Sequence, residues 1–323
     1  MGLGALVMAY EVVMATFNGA RFLDRQIASI LDQTIPPERI VVADDGSTDH
    51  TLNRLRFWQQ KSPVPIKIFL QEKSGQLGSC RNFERLLQAS EADYVMLSDQ
   101  DDLWDRDKAE RLLRRMDVLQ RHLGSDRPLL VHGDLRLIDD RDRCFSASFH
   151  RVQGLYPLRL NVLEIGMQNV VTGCASLLNR ACVFQALPFP EEVVLHDWWL
   201  ALVASQADGL AYEPGPCVSY RQHGGNVVGA VGWPRQLCSR FRQVLASQRT
   251  EAVKRLISPG LLQLRACLHR FGPEELAQGL DQLWSRSAWI RLRAAKRLGL
   301  RKHGLWRSLG FYAALLITRP SEH

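Results

Sequence analysis

Through the first hundred positions the apolar residues fall in short runs separated by amphipathic stretches. EVVMAT (11–16) predicts a strand, and in ARFLDRQIASILDQ (20–33) Phe22, Leu23, Ile27, Ile30 and Leu31 recur at helical spacing. RIVVA (39–43) predicts a second strand, and TDHTLNRLRFWQQ a helix capped by Thr48 or Asp49. PIKIFL (65–70), the helical GSCRNFERLLQA (78–89) and DYVMLS (93–98) continue the alternation. From about residue 125 the pattern loosens, with strands expected at PLLVH (128–132), CASLLN (174–179) and CVSYRQH (217–223) and a helix at HDWWLALVASQ (196–206).

Strands alternating with helices predict an α/β fold with a parallel sheet covered on both faces. Ligands of such sheets gather beyond the carboxyl ends of the strands. That rule orders the polar residues. Thr16, Asn18 and Gly19 follow the first strand, Asp44 and Asp45 of ADDGSTD the second, and Asp99, Asp101 and Asp102 of VMLSDQDDLW the fourth. All are expected along one rim.

Composition narrows the picture. The 323 residues, 46% hydrophobic and 23% charged, suit a folded globular chain of one large domain plus an addition. No apolar run approaches the ~18 residues of a membrane span. The N-terminal stretch lacks a basic region, contains Glu11 and runs into the first strand, so it reads as structure and not as a signal peptide. Seven scattered cysteines without a CxxC pair indicate neither a zinc site nor a disulfide framework, which suits a reducing, cytoplasmic setting. From Arg235 onward the chain holds 17 of its 41 Lys and Arg but 5 of its 34 Asp and Glu. That leaves 24 and 29 for the rest, so +12 stands against −5. Such a split points to two jobs.

Four segments carry candidate chemistry, each with a plainer alternative. Asp99 and Asp101 could share a hard divalent cation with substrate phosphates, or form a solvated turn capping the following helix. ADDGSTD could bind a ribose or a base edge, with Gly46 allowing close approach, or cap a helix through Ser47, Thr48 and Asp49. In LHDWWLAL, Asp197 could act as general base beside sugar-stacking tryptophans, or cap a helix whose Trp residues are core. In YRQHGGNVVG, Arg221 and His223 could meet phosphate or metal, or lie on a surface loop. No Walker loop or GxGxxG occurs, which leaves P-loop and dinucleotide readings unsupported.

Taken in order, VVMATFNGARFLDRQIASILDQT, VVADDGSTD, SGQLGSCRNFERLL, YVMLSDQDDLW, HDWWLAL and YRQHGGNVVG resemble glycosyltransferase family 2 over roughly residues 10–232. The last two segments are similar to its bacterial rhamnosyltransferase branch. The resemblance implies a GT-A fold, a Rossmann-like, mixed and mainly parallel sheet flanked by helices. It implies that Thr16, Asn18, Asp44 and Asp45 line a nucleotide pocket, with Gln76 and Arg81 near the base or phosphates. Asp99 and Asp101 match the DxD motif for Mg²⁺ or Mn²⁺, with His223 as a further metal ligand and Arg221 on the phosphates. Asp197 takes the place of the catalytic base, and His196, Trp198 and Trp199 face the acceptor. His196 stands where many members have Glu. The implied reaction is inverting transfer from a dTDP- or UDP-linked sugar, dTDP-rhamnose first, to a saccharide or lipid-linked acceptor of the cell envelope.

A nucleotidyltransferase and a non-catalytic sugar-nucleotide-binding module are the competing classes. The first lacks a Gly-rich, Lys/Arg-bearing loop after the first strand. The expected organisation is a catalytic domain over 1–232 and a basic helical region over 233–323, divided near Trp233-Pro234. In that region Trp, Leu, Arg and Lys interleave. This suits peripheral attachment to an anionic membrane at its inner face, or a helical bundle with a solvated basic face. No nucleic-acid motif accompanies the charge.

Overall fold

The computed structural model describes residues 8–71, 75–158, 160–222 and 249–318. The chain divides into two compact units. One takes the described residues of Met1–Phe149, Val171–Phe189 and Gly209–Gly229, and the other those of His150–Val170, Pro190–Asp208 and Ala230–His323. The helix bearing HDWW therefore groups with the C-terminal helices. The expected boundary at Trp233-Pro234 lies outside the described residues.

The first unit is built on a nine-stranded sheet. Its strands are β1 (Tyr10–Thr16), β2 (Arg39–Asp44), β3 (Ile66–Leu70), β4 (Tyr94–Ser98), β5 (Leu103–Trp104), β6 (Leu130–Ile138), β7 (Cys144–Ser146), β8 (Ser176–Asn179) and β9 (Leu210–Arg221). They run in the order β3-β2-β1-β4-β8-β6-β9-β5, with β7 on β6. β1 pairs in parallel with both β2 and β4, so that Val13 stands opposite Val41 and Leu97. β8 enters antiparallel to β4 and β6, β9 runs parallel to β6, and β5 antiparallel to β9. The sheet is thus mixed. Its β3-β2-β1-β4 half is the parallel part the alternating pattern predicted.

Helices α1 (Leu23–Leu31), α2 (Thr51–Lys61), α3 (Gly78–Ala89) and α4 (Lys108–Leu123) accompany it. β1 and β2 read as continuous apolar runs because they are buried along nearly their whole length. Leu23, Ile27 and Ile30 of α1 and Phe83, Leu86 and Leu87 of α3 supply the matching buried helix faces. α2 starts at Thr51, where Asp49 accepts from the Thr51 amide at 2.9 Å. The chain leaves β1 and then β4 on opposite sides of a reversal in strand order, which brings the loops after these two strands side by side.

The second unit is helical in its described elements: Val162–Met167, His196–Gln206, Arg249–Phe271, Glu274–Asp281, Ala288–Arg297 and Leu305–Ile317. Asn161 and Glu164 form a reciprocal capping box on the first. Glycines let helices meet closely here. A Cβ on Gly166 would lie 2.6 Å from Leu264 Cδ2, and one on Gly260 would lie 2.4 Å from Trp198 Cζ2. Buried Arg291 joins the last two helices, with Nε donating to the Leu315 carbonyl at 2.8 Å.

Candidate active site

The loops after β1 and β2 are stitched together by their own polar side chains. Asp44 Oδ2 accepts from Thr16 Oγ1 at 2.9 Å and Ser47 Oγ at 2.6 Å, while Oδ1 accepts from the Gly46 and Ser47 amides. Asn18 has φ 49°, a left-handed conformation that Asn tolerates. From there its Oδ1 accepts from the Thr48 amide at 2.8 Å, and its own amide donates to Ser47 Oγ. Asp45 reaches forward to α3 and accepts from the Leu77 and Gly78 amides at 2.8 and 2.9 Å. Thr16, Asp44 and Asp45 are buried and Asn18 is exposed. Gln76 is exposed just before α3, and Arg81 on α3 pairs with Glu84 at 2.8 Å. In the sequence, helix capping and ligand binding were alternatives for ADDGSTD; the carboxylates of Asp44 and Asp49 do the local work of shaping this loop.

The loop after β4 is fixed from both sides. Gln26 Nε2 donates to Ser98 Oγ and to the Asp99 carbonyl. The Gln100 side-chain amide pairs with Phe17 as a backbone would, accepting from its N–H and donating to its carbonyl at 2.9 Å each. A Cβ on Gly19 would fall 2.1 Å from Gln100 Oε1, so glycine there makes room for that clasp.

Asp99 and Asp101 emerge half-buried, whereas Asp102 has no exposed surface. Asp99, Asp102 and Cys174 each bring one potential ligand atom within 4.8 Å of the others. Asp102 accepts from the Arg221 amide at 3.0 Å and from the Cys174 thiol. Burial, followed by the charges of Asp101 and Asp99, pushes its carboxyl well above the usual range. Burial, and then Asp102 and Asp99, raises the Cys174 thiol as well. The exposed donors are therefore oxygens, and the thiol stays protonated. An oxygen-rich cluster that repels itself suits a hard divalent cation better than a thiolate-seeking one.

Two buried cations stand behind the loop. Lys108 at the start of α4 donates to the Cys174 carbonyl at 2.6 Å and lies 3.1 Å from the Trp104 ring centroid. Burial pulls its ammonium down to about 8 against the opposing pull of Cys217, Cys174, Asp102 and Asp99. Arg221 at the end of β9 was expected on phosphates, but its side chain is fully buried. Its Nε donates to the Asp101 carbonyl at 2.7 Å, Nη1 donates to the Asp139 carbonyl at 3.0 Å, and the guanidinium pairs with Asp142. It props the acidic loop from beneath. Lys108, Cys174 and Gln100 were missed as contributors. Lys108 carried a signal, since it falls four residues before Leu112 on the apolar face of α4. His223 lies outside the described residues.

In the second unit Asp197 occupies the first turn of its helix. Its Oδ1 accepts from Asn169 Nδ2 at 3.2 Å and from the Trp198 amide at 2.6 Å. Trp198 Nε1 donates to the Ile165 carbonyl at 2.7 Å. Trp199, expected to face the acceptor, has no exposed surface and packs on Phe271 with ring centroids 6.3 Å apart. That expectation is corrected: Trp199 is core. His196 is buried too, and burial pulls its imidazole down to about 3, leaving it neutral.

The Glycosyl transferase family 2 profile matches residues 11–180, from the first strand through the acidic loop to the end of β8. The chain belongs to glycosyltransferase family 2. It is 28% identical over 239 residues to the dTDP-rhamnosyl transferase RfbG of Shigella flexneri, covering 67% of this chain and 74% of that protein. It is 35% identical over 231 residues to an uncharacterized glycosyltransferase of Nostoc, covering 68% of this chain and 66% of the relative. The fold is similar to that of Staphylococcus aureus TarS 1–349 in complex with UDP-GlcNAc, with TM-score 0.52 and 13% identity over 96% of this chain and 91% of that one. It is also similar to the mannosyltransferase PcManGT of Pyrobaculum calidifontis, solved with GDP-Man and Mn²⁺. That pair has TM-score 0.50 and 19% identity, with 97% and 82% covered. The mixed sheet and flanking helices are thus the GT-A fold expected from the sequence, and the chain is a glycosyltransferase.

Proposed function

We propose that this glycosyltransferase moves a sugar, with inversion, from a nucleotide-diphosphate donor to a hydroxyl of a growing surface polysaccharide or lipid-linked glycan. The observation that carries the reading is the acidic loop Asp99–Asp102, held at the carboxyl edge of the sheet beside the β1 and β2 loops of a family 2 chain. dTDP-rhamnose is the preferred donor, supported by the similarity to the dTDP-rhamnosyl transferase of Shigella and by the HDWW segment. UDP-sugars come next.

In this reading Thr16, Asn18, Asp44, Asp45, Gln76 and Arg81 shape the nucleotide side. Asp99 and Asp101, with His223, would hold Mg²⁺ or Mn²⁺, whose chemistry when bound is to neutralise charge gathering on a diphosphate. Lys108 and Arg221 keep the acidic loop in place from behind and leave its outer oxygens to the ligand. Asp197 takes the proton of the acceptor hydroxyl as that oxygen bonds to the anomeric carbon. The bond from this carbon to the diphosphate oxygen breaks in the same displacement, and the nucleoside diphosphate departs with the electron pair. The hydrogen bonds from Asn169 and the Trp198 amide orient the carboxylate for that task.

Asp197→Asn keeps shape and removes the base. Turnover is expected to fall at least ~100-fold with donor affinity unchanged, as read by product formation beside calorimetric donor binding. Transfer at the wild-type rate would remove Asp197 from the chemistry.

A further inference from the structure

The helix Leu305–Ile317 is built the wrong way round for water. Its buried positions are Phe311, Ala314 and Leu315. Its exposed positions are also apolar or glycine: Leu305 (71% exposed), Trp306 (72%), Leu309 (50%), Gly310, Ala313, Leu316 (55%) and Ile317 (63%). At 100° per residue these positions form one continuous stripe of about 140°. A surface helix ordinarily turns charged or polar residues outward. Thirteen residues reach about 20 Å, and among the described residues no helix is long and apolar enough to cross a membrane. The stripe can lie in a bilayer surface but cannot span it.

At the start of this helix is a cleft of about 380 Å³ within the same unit, lined by Arg151, Gly154, Tyr156, His303, Trp306 and Arg307 among others. Arg307 is steadied by donating to the Gln153 carbonyl at 2.7 Å, and His303 Nδ1 accepts from the Tyr156 amide at 3.1 Å. Two arginines, Arg151 and Arg307, therefore line a cleft that the exposed Trp306 also lines. Around it, residues 282–318 hold eight Lys and Arg and no Asp or Glu. The preceding helix exposes Trp289 (81%) and Ile290 beside Arg293, Lys296 and Arg297.

We propose that this face is a docking surface for an anionic lipid bilayer: the stripe from Leu305 to Ile317 enters the headgroup layer, and the cleft seats one lipid phosphate between Arg151 and Arg307. Apolar insertion and basic attraction acting together are what interfacial helices use. A second copy of the chain would answer the apolar stripe but would bring eight more positive charges against eight. A nucleic acid would answer the charge and leave the stripe in water. The proposal stands apart from the identity of the donor.

Co-sedimentation of the full chain with vesicles tests it, using phosphatidylcholine alone and phosphatidylcholine mixed with phosphatidylglycerol. Binding to the anionic vesicles is expected to be at least ~10-fold tighter and to weaken with added salt. Leu309→Glu and Arg151→Gln, both at exposed positions, should each reduce it several-fold while the thermal melt stays where it was. Equal binding to the two vesicle types would overturn the proposal, as would undiminished binding by either variant. A chain that ignores vesicles and sediments as a dimer broken by Leu309→Glu would assign the stripe to self-association instead.

Discussion

Asp102 and His196 make opposite use of burial. Burial, and then the charges of Asp101 and Asp99 close by, push the Asp102 carboxyl well above the usual carboxylate range. His196 gives its proton up for want of solvation. The sign of its effect on stability follows. An imidazole ordinarily titrates near 6.5, and here the folded value is about 3. Between the two, the unfolded chain binds a proton that the folded chain refuses. Stability is therefore full above pH 6.5 and is lost as pH falls toward 3, by roughly 1.4 kcal/mol per pH unit. His196→Gln should remove that slope from the pH dependence of Tm. A slope unchanged by the substitution would show that His196 titrates normally. The sequence placed His196 beside Asp197 but could not reveal its burial, because flanking Trp residues serve a core and a sugar platform equally well.

In the parallel half β1, β2 and β4 were legible because they are buried on two sides and spell out apolar runs, and α1 and α3 because their buried residues recur at helical spacing. The other half was legible only in part: PLLVH and CASLLN fall on β6 and β8 with shifted bounds. β5 is two residues long, and β7 has two of its three residues exposed, so neither carries a period to detect. β9 opens with the half-exposed LAYEPGP, which hides a strand that begins seven residues before the predicted CVSYRQH. Site residues followed the same division. The acids announced themselves by clustering after β4 and Arg221 by its place in YRQHGG, whereas Lys108 and Cys174 come from distant elements that only the fold brings together near them. Among helices, the close approach at Gly260 ties packing to chemistry. A Cβ there would lie 2.5 Å from the Gly166 carbonyl as well as 2.4 Å from Trp198. Gly260→Ala should cost about 1–3 kcal/mol through overpacking, measured by denaturant unfolding. It should also push on the Trp198 indole and through it on the residue whose amide donates to Asp197, so that, if Asp197 is the proposed base, kcat falls more than donor affinity. Unchanged stability together with unchanged kcat would refute that coupling.

At the scale of the whole molecule, the two compact units do not divide the chain where the charge changes sign, since the second also takes His150–Val170 and Pro190–Asp208. The sheet unit carries the acidic loop, and the basic excess belongs to a helical unit that also carries Asp197. The central claim is that Asp99 and Asp101 grip a nucleotide diphosphate through a divalent cation. Calorimetric titration of dTDP and UDP into the full chain, in Mn²⁺ and in EDTA, with wild type beside Asp101→Asn, addresses it most directly. Affinity should be at least ~10-fold weaker in EDTA and in the variant. Nucleotide binding of equal strength with metal, without it and without the Asp101 carboxylate would contradict the account.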